Sequence, residues 1–60
     1  MSTIYNPEAD IIARIEKLEL EARELRRRLN HARHDEDKRV LDKQLKETQQ
    51  QVEILRARLP

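Results

Sequence analysis

The chain has 60 residues, with 13 Lys or Arg against 12 Asp or Glu, no Cys, no Gly and one aromatic residue. The missing Cys excludes disulfides and cysteine metal sites, a net charge of +1 does not by itself indicate nucleic-acid binding, and no apolar run approaches the length of a membrane span. The remaining composition, 42% charged and rich in Leu, Glu, Arg and Gln, is typical of a long helix or coiled coil.

The first six residues predict a flexible lead that ends where a helix begins. Ile4 and Tyr5 precede the helix start and could pack back on its first turn as an apolar staple. Asn6 is a favoured N-cap residue, and Pro7 suits the first helical position because it has no N–H to leave unpaired. These signals place the start of helix 1 at residue 7.

Helix 1 carries an unbroken heptad pattern over residues 7–32. In the usual lettering the apolar residues occupy a and d positions at spacings of 4 and 3, which predicts a coiled-coil seam. The d positions are Ile11, Leu18, Leu25 and Ala32, and the a positions are Ile15, Ala22 and Leu29. Acid-first pairs four residues apart, typical of a solvated helix face, support the assignment: Asp10/Arg14, Glu19/Arg23 and Glu24/Arg28.

Helix 2, predicted over residues 37–59, repeats the same spacing. Its seam consists of Leu41, Leu45, Thr48, Val52, Leu55 and Leu59. The last apolar position of the first pattern, Ala32, and the first of the second, Leu41, are nine residues apart, which is about two and a half helical turns. One continuous helix would therefore place the two seams on opposite faces, so we predict an antiparallel helical hairpin with a turn at residues 33–36.

The chemistry of the turn gives partial support to this reading. Asn30 could end helix 1 in the left-handed conformation, and Asp35 or Asp37 could cap helix 2. The missing Gly and Pro in this region count against a turn. The alternative is one continuous helix of about fifty residues with a discontinuity in the middle.

A lone two-helix seam buries too little apolar surface to balance the entropy of ordering about fifty residues. We therefore predict that the hairpin dimerises into a four-helix bundle or docks on a larger protein. Four apolar residues lie off the seams and form the candidate second interface: Ile12, Leu20, Val40 and Ile54.

Two His and nearby carboxylates raise the question of a metal site. His31 and His34 lie three residues apart beside Asp35 and Asp37, a spacing that could place ligands on one helix face. No standard metal motif is matched, and such residues are ordinary in a solvated turn, so we expect no metal ligands. With a single Ser and no Gly-rich phosphate loop, we also expect no catalytic residues and no cofactor.

The middle of the chain is basic. Residues 26–39 contain six basic and three acidic side chains, a net charge of +3, which could contact phosphate backbones or an acidic protein surface. The candidate anion contacts are Arg26, Arg27, Arg28, Arg33, Lys38 and Arg39. The acidic run inside this region and the absence of aromatic residues for base stacking count against nucleic acid.

The sequence therefore predicts a small, non-enzymatic, cytoplasmic interaction or adaptor protein. It acts on itself as a homodimer or on a larger protein partner, not on a membrane. The alternative is an RNA- or DNA-binding regulator that uses the basic tip of the hairpin.

Overall fold

The computed structural model describes residues 6–60, which form two helices packed against each other, α1 (Pro7–His31) and α2 (Asp35–Ala57). The all-α hairpin predicted from the change of phase is confirmed. An ion pair between Glu19 and Arg56 joins the helices across 37 residues of sequence, which one continuous helix would hold about 55 Å apart. The continuous-helix alternative is therefore wrong. Residues 1–5 of the predicted lead, which include the predicted apolar staple, lie outside the described residues.

Helix α1 begins as its sequence predicts. The Asn6 side chain accepts hydrogen bonds from the N–H groups of Glu8 (3.1 Å) and Ala9 (3.3 Å), and Pro7 is the first helical residue. These bonds pair two of the backbone donors that every helix start leaves free. Glu8 and Asp10 add negative charge at the positive end of the helix dipole.

The turn is shorter than predicted and needs no Gly. Helix α1 ends at His31, and only Ala32, Arg33 and His34 separate it from α2. Ala32 (φ −68°, ψ 134°) and His34 (φ −100°, ψ 139°) are both extended. Extended residues rise about 3.3 Å each, so three of them can cross the 8–10 Å that separates packed helices. Every residue type can adopt such a conformation at negative φ.

Two expectations about the turn are wrong. Asn30 is an ordinary residue of α1, and no residue in the described part of the chain has a positive φ. The N-cap of α2 is His34, which makes no side-chain capping bond, while Asp35 and Asp37 lie inside the first helical turn. There they face the positive end of the helix dipole and act through charge. Helix α2 begins at Asp35, two residues before the predicted start at 37. It ends at Ala57, two residues before the predicted end at 59.

Candidate interaction surface

All thirteen predicted seam positions are at least half-buried. The buried ones are Ile15, Ala22, Leu45 and Val52, and the half-buried ones are Ile11, Leu18, Leu25, Leu29, Ala32, Leu41, Thr48, Leu55 and Leu59. The contact between the helices is therefore built from the seam residues of both, and it is narrow.

The two rows of the seam are buried to different degrees. We continue the heptad lettering into α2, where Leu41, Thr48 and Leu55 are d positions and Leu45 and Val52 are a positions. The four buried residues, between 4% and 8% exposed, are all a positions. Every d position from Ile11 to Leu55 is only half-buried. The two remaining apolar a positions, Leu29 and Leu59, are half-buried. The hairpin is thus closed along the middle of its a row and partly open along its whole d row.

The a row is covered by charged side chains that span the helices. A groove floored by Ala22 and Val52 is lined by residues at a, b and e positions, Glu19 and Arg56 among them. The guanidinium of Arg56 donates to the carboxylate of Glu19 over this floor. Within residues 6–60 it is the only ion pair between the helices, and it replaces the Glu19–Arg23 pair predicted within α1. We call this surface the a side.

The opposite surface, which we call the d side, has no such cover. Three grooves follow one another along it, floored in turn by Leu18 with Leu55, Leu25 with Thr48, and Ala32 with Leu41. Every residue that lines them occupies a c, d or g position, because at 100° per residue c and g lie beside d on a helix. The d side is therefore a strip of half-exposed apolar residues with a charged rim.

The four residues of the candidate second interface do not form one patch. Ile54 and Val40, 56% and 57% exposed, line the first and third grooves of the d side. Leu20, 62% exposed, is an f position on the outer face of α1, and Ile12, 45% exposed, is an e position on the a side. Only Ile54 and Val40 extend the apolar strip of the d side.

Thr48 interrupts the apolar d row without an unpaired polar atom. Its hydroxyl donates to the backbone carbonyl of Gln44 at 2.9 Å. Because the donor is satisfied within α2, the methyl group of Thr48 is free to face the second groove of the d side.

The three consecutive arginines of the basic region point in different directions. Arg26 lines the groove of the a side, Arg28 lines the d side near the turn, and Arg27 lies between them. Glu24 accepts hydrogen bonds from Arg27 (3.0 and 3.2 Å) and from Arg28 (3.3 Å). These bonds lower the pKa of the Glu24 carboxyl, and the same contact raises the pKa of Arg27. One carboxylate thus compensates part of the positive charge.

The other candidate anion contacts, Arg33, Lys38 and Arg39, are exposed around the turn. The turn brings together no metal-ligand set, because no three His, Asp or Glu side chains in residues 6–60 are arranged to hold a metal ion. Neither of the two described helices has an apolar stretch long enough to cross a membrane.

Sequence reasoning found the seam but missed the charged rim of the d side, which includes Arg14, Lys17, Glu21, Glu47 and Arg58. The signal was present in the heptad lettering, since all five are c or g positions. The rim can be predicted from the sequence only after the heptad positions of both helices have been assigned to the two sides of the hairpin.

Comparison with known proteins finds no protein family, no curated protein and no solved structure that matches this chain. The geometry and charge of the hairpin are therefore the basis for a functional proposal.

Proposed function

We propose that this chain is a small, non-enzymatic interaction protein whose working surface is the d side of the hairpin. The observation that carries the proposal is the unequal burial of the seam. Four residues of the a row are buried, and an ion pair bridges the helices above them, whereas every residue of the d row is only half-buried along the length of the molecule. A contiguous apolar strip with a polar rim is the usual character of a protein-binding surface.

The exposed area of the chain supports the same proposal. The chain exposes 5464 Å², whereas a compact protein of its 7.2 kDa mass exposes about 4,100 Å². A two-helix layer buries each helix on one side only, which contributes to this excess of about a third. A protein partner on the d side would cover the half-exposed row and supply the missing second layer.

A nucleic-acid partner at the basic tip has weaker support. The net charge of residues 26–39 favours it, but Arg26 and Arg28 line opposite sides of the hairpin and Glu24 holds Arg27 and Arg28. A phosphate backbone is bound best by cations that share one surface. We therefore propose the protein partner first.

Site-specific photo-crosslinking in cells of the native host tests this proposal. A photoreactive amino acid replaces Ile54 on the d side or, as the matched control, Leu20 on the outer face, which is exposed to a similar degree (56% and 62%). We expect protein adducts from position 54 and none from position 20. Equal adducts from both positions, or none from position 54, would overturn the proposal. Nucleic-acid adducts from a third probe at Arg33, with none from position 54, would favour the alternative.

A further inference from the structure

Charge changes sign along the d side. The groove farthest from the turn is lined by three cations, Arg14, Lys17 and Arg58, with Glu21 as its only carboxylate. The next groove is lined by two carboxylates, Glu21 and Glu47, and by no cation. With Glu21, which lines both, counted in each, the grooves have formal charges of +2 and −2, and they lie next to each other along the d row.

This pattern decides how two copies of the hairpin can meet through their d sides. In a two-fold dimer the same patch on each copy forms the interface. If the turns of both copies lie at the same end of the dimer, each groove faces the same groove of the other copy. Cations then face cations, and carboxylates face carboxylates. If one hairpin is turned end over end, the positive groove of each copy meets the negative groove of the other. Like charges held against each other oppose association.

The charges of α1 fit the second arrangement along the whole helix. The Asp, Glu, Lys and Arg residues at its c and g positions are Asp10, Arg14, Lys17, Glu21, Glu24 and Arg28. If a second α1 runs antiparallel to the first, with the two copies of residue 19 side by side, each of these residues lies opposite one of the other sign. Residue 10 then lies opposite 28, 14 opposite 24, and 17 opposite 21. Residue 19 is also the midpoint of Pro7–His31, so two antiparallel α1 helices in this register overlap over their full length.

We propose that the occupant of the d side is a second copy of this chain, turned end over end, with its α1 antiparallel to the first α1 about a two-fold axis near residue 19. The four helices then form a bundle whose core includes the half-exposed d rows of both hairpins. This inference rests on the proposed function, because it names the partner of the same surface.

Cross-linking of single-cysteine variants of the full chain tests the arrangement, since the natural chain has no Cys. Ile54 lines the groove that contains Leu18, next to the proposed axis, so the two copies of residue 54 lie close together. Val40 is equally exposed on the same side but lies near the turn, far from the axis. We expect a short bis-maleimide to link Ile54→Cys into dimers and Val40→Cys not. Links through position 40 but not 54 would overturn the arrangement.

Charge reversal tests the proposed ion pairs. Lys17→Glu alone places a carboxylate opposite Glu21 of the other copy, twice in the two-fold dimer, and we expect the dimer dissociation constant to rise about tenfold. The double variant Lys17→Glu/Glu21→Lys restores opposite charges, so we expect it to recover most of the affinity. Lys43→Glu, exposed on α2 away from the d side, is the control and should leave the constant unchanged. No recovery in the double variant would overturn the pairing.

Light scattering of the purified chain separates this inference from the proposed function. A dimer mass at tens of micromolar supports the inference. A well-folded monomer at that concentration overturns it. If the chain is a monomer but the photoreactive residue at position 54 captures another protein in cells, the interaction proposal stands and the second copy is excluded as the partner.

Discussion

His34 shows at the residue scale how this chain turns without Gly. Its extended backbone (φ −100°, ψ 139°) is the usual conformation of an N-cap, and its carbonyl accepts the first helical hydrogen bond, from the N–H of Lys38 at 3.0 Å. Its side chain makes no capping bond, so the first donors of α2 have no side-chain partner there. The backbone at position 34 therefore has the conformation of an N-cap, but its His side chain does not cap the helix. A residue whose side chain accepts hydrogen bonds would cap α2 better.

We expect His34→Asn to stabilise the hairpin by about 1 kcal/mol, because Asn accepts hydrogen bonds from the free N–H groups of the first turn. Asn adds no negative charge beside Asp35, Glu36 and Asp37, which makes it a cleaner test than Asp. Urea unfolding measures the change. Arg33→Asn introduces the same residue one position earlier, where it cannot cap, and should give no comparable gain. Equal gains in both variants would contradict the capping explanation.

At the scale of the helices, the a row holds α1 and α2 together. Ala22 and Val52 are buried on the a side, where the Glu19–Arg56 pair spans the groove above them. The residues of the d row are only half-buried. The internal stability of one hairpin therefore depends mainly on a few buried a-row residues.

The chain contains two valines that make this difference measurable. Val52 is 6% exposed in the a row, and Val40 is 57% exposed on the d side near the turn. We expect Val52→Ala to cost about 2 kcal/mol of unfolding free energy, because it leaves a cavity between the helices. Val40→Ala, the same substitution outside the core, should change the unfolding free energy by less than about 0.5 kcal/mol. Chemical denaturation of both variants gives the comparison, and equal losses would show that the a row does not carry the packing.

At the scale of the whole molecule, one hairpin has a single layer of contact between its helices. Only four of the described residues are buried, which is few for a chain that must order two helices of 25 and 23 residues. A second hairpin on the d side would double the number of helices around a shared core. Folding of each chain and association of two copies would then be coupled in one equilibrium.

We expect the thermal unfolding midpoint of the chain to rise with protein concentration, because association stabilises a folded state by mass action. Circular dichroism at concentrations that differ about a hundredfold measures the effect. The Lys17→Glu variant should unfold at a lower temperature than the natural chain at equal concentration. A midpoint that does not change with concentration in the natural chain would contradict the coupling of folding and association.

Much of this architecture was predictable because it depends on local periodicity. The heptad spacing identifies both helices and all seam residues, the nine-residue step from Ala32 to Leu41 identifies the hairpin, and Asn6–Pro7 identifies the start of α1. The conformation of the turn was harder to predict. Ala32 and His34 use extended backbone at negative φ, which needs no Gly, so the sequence contains no Gly or Pro signal that marks the turn.

The sequence by itself determined which residues face the seam, because a period of 3.5 residues assigns them to one stripe of each helix. Only the tertiary structure decided that the residues buried most deeply are a positions and that the whole d row is half-buried. That outcome depends on how far each helix is rotated about its own axis against its neighbour, and heptad spacing is the same for every such rotation. Ile54 and Val40 are c positions beside d, so this rotation leaves them on the open side of the hairpin.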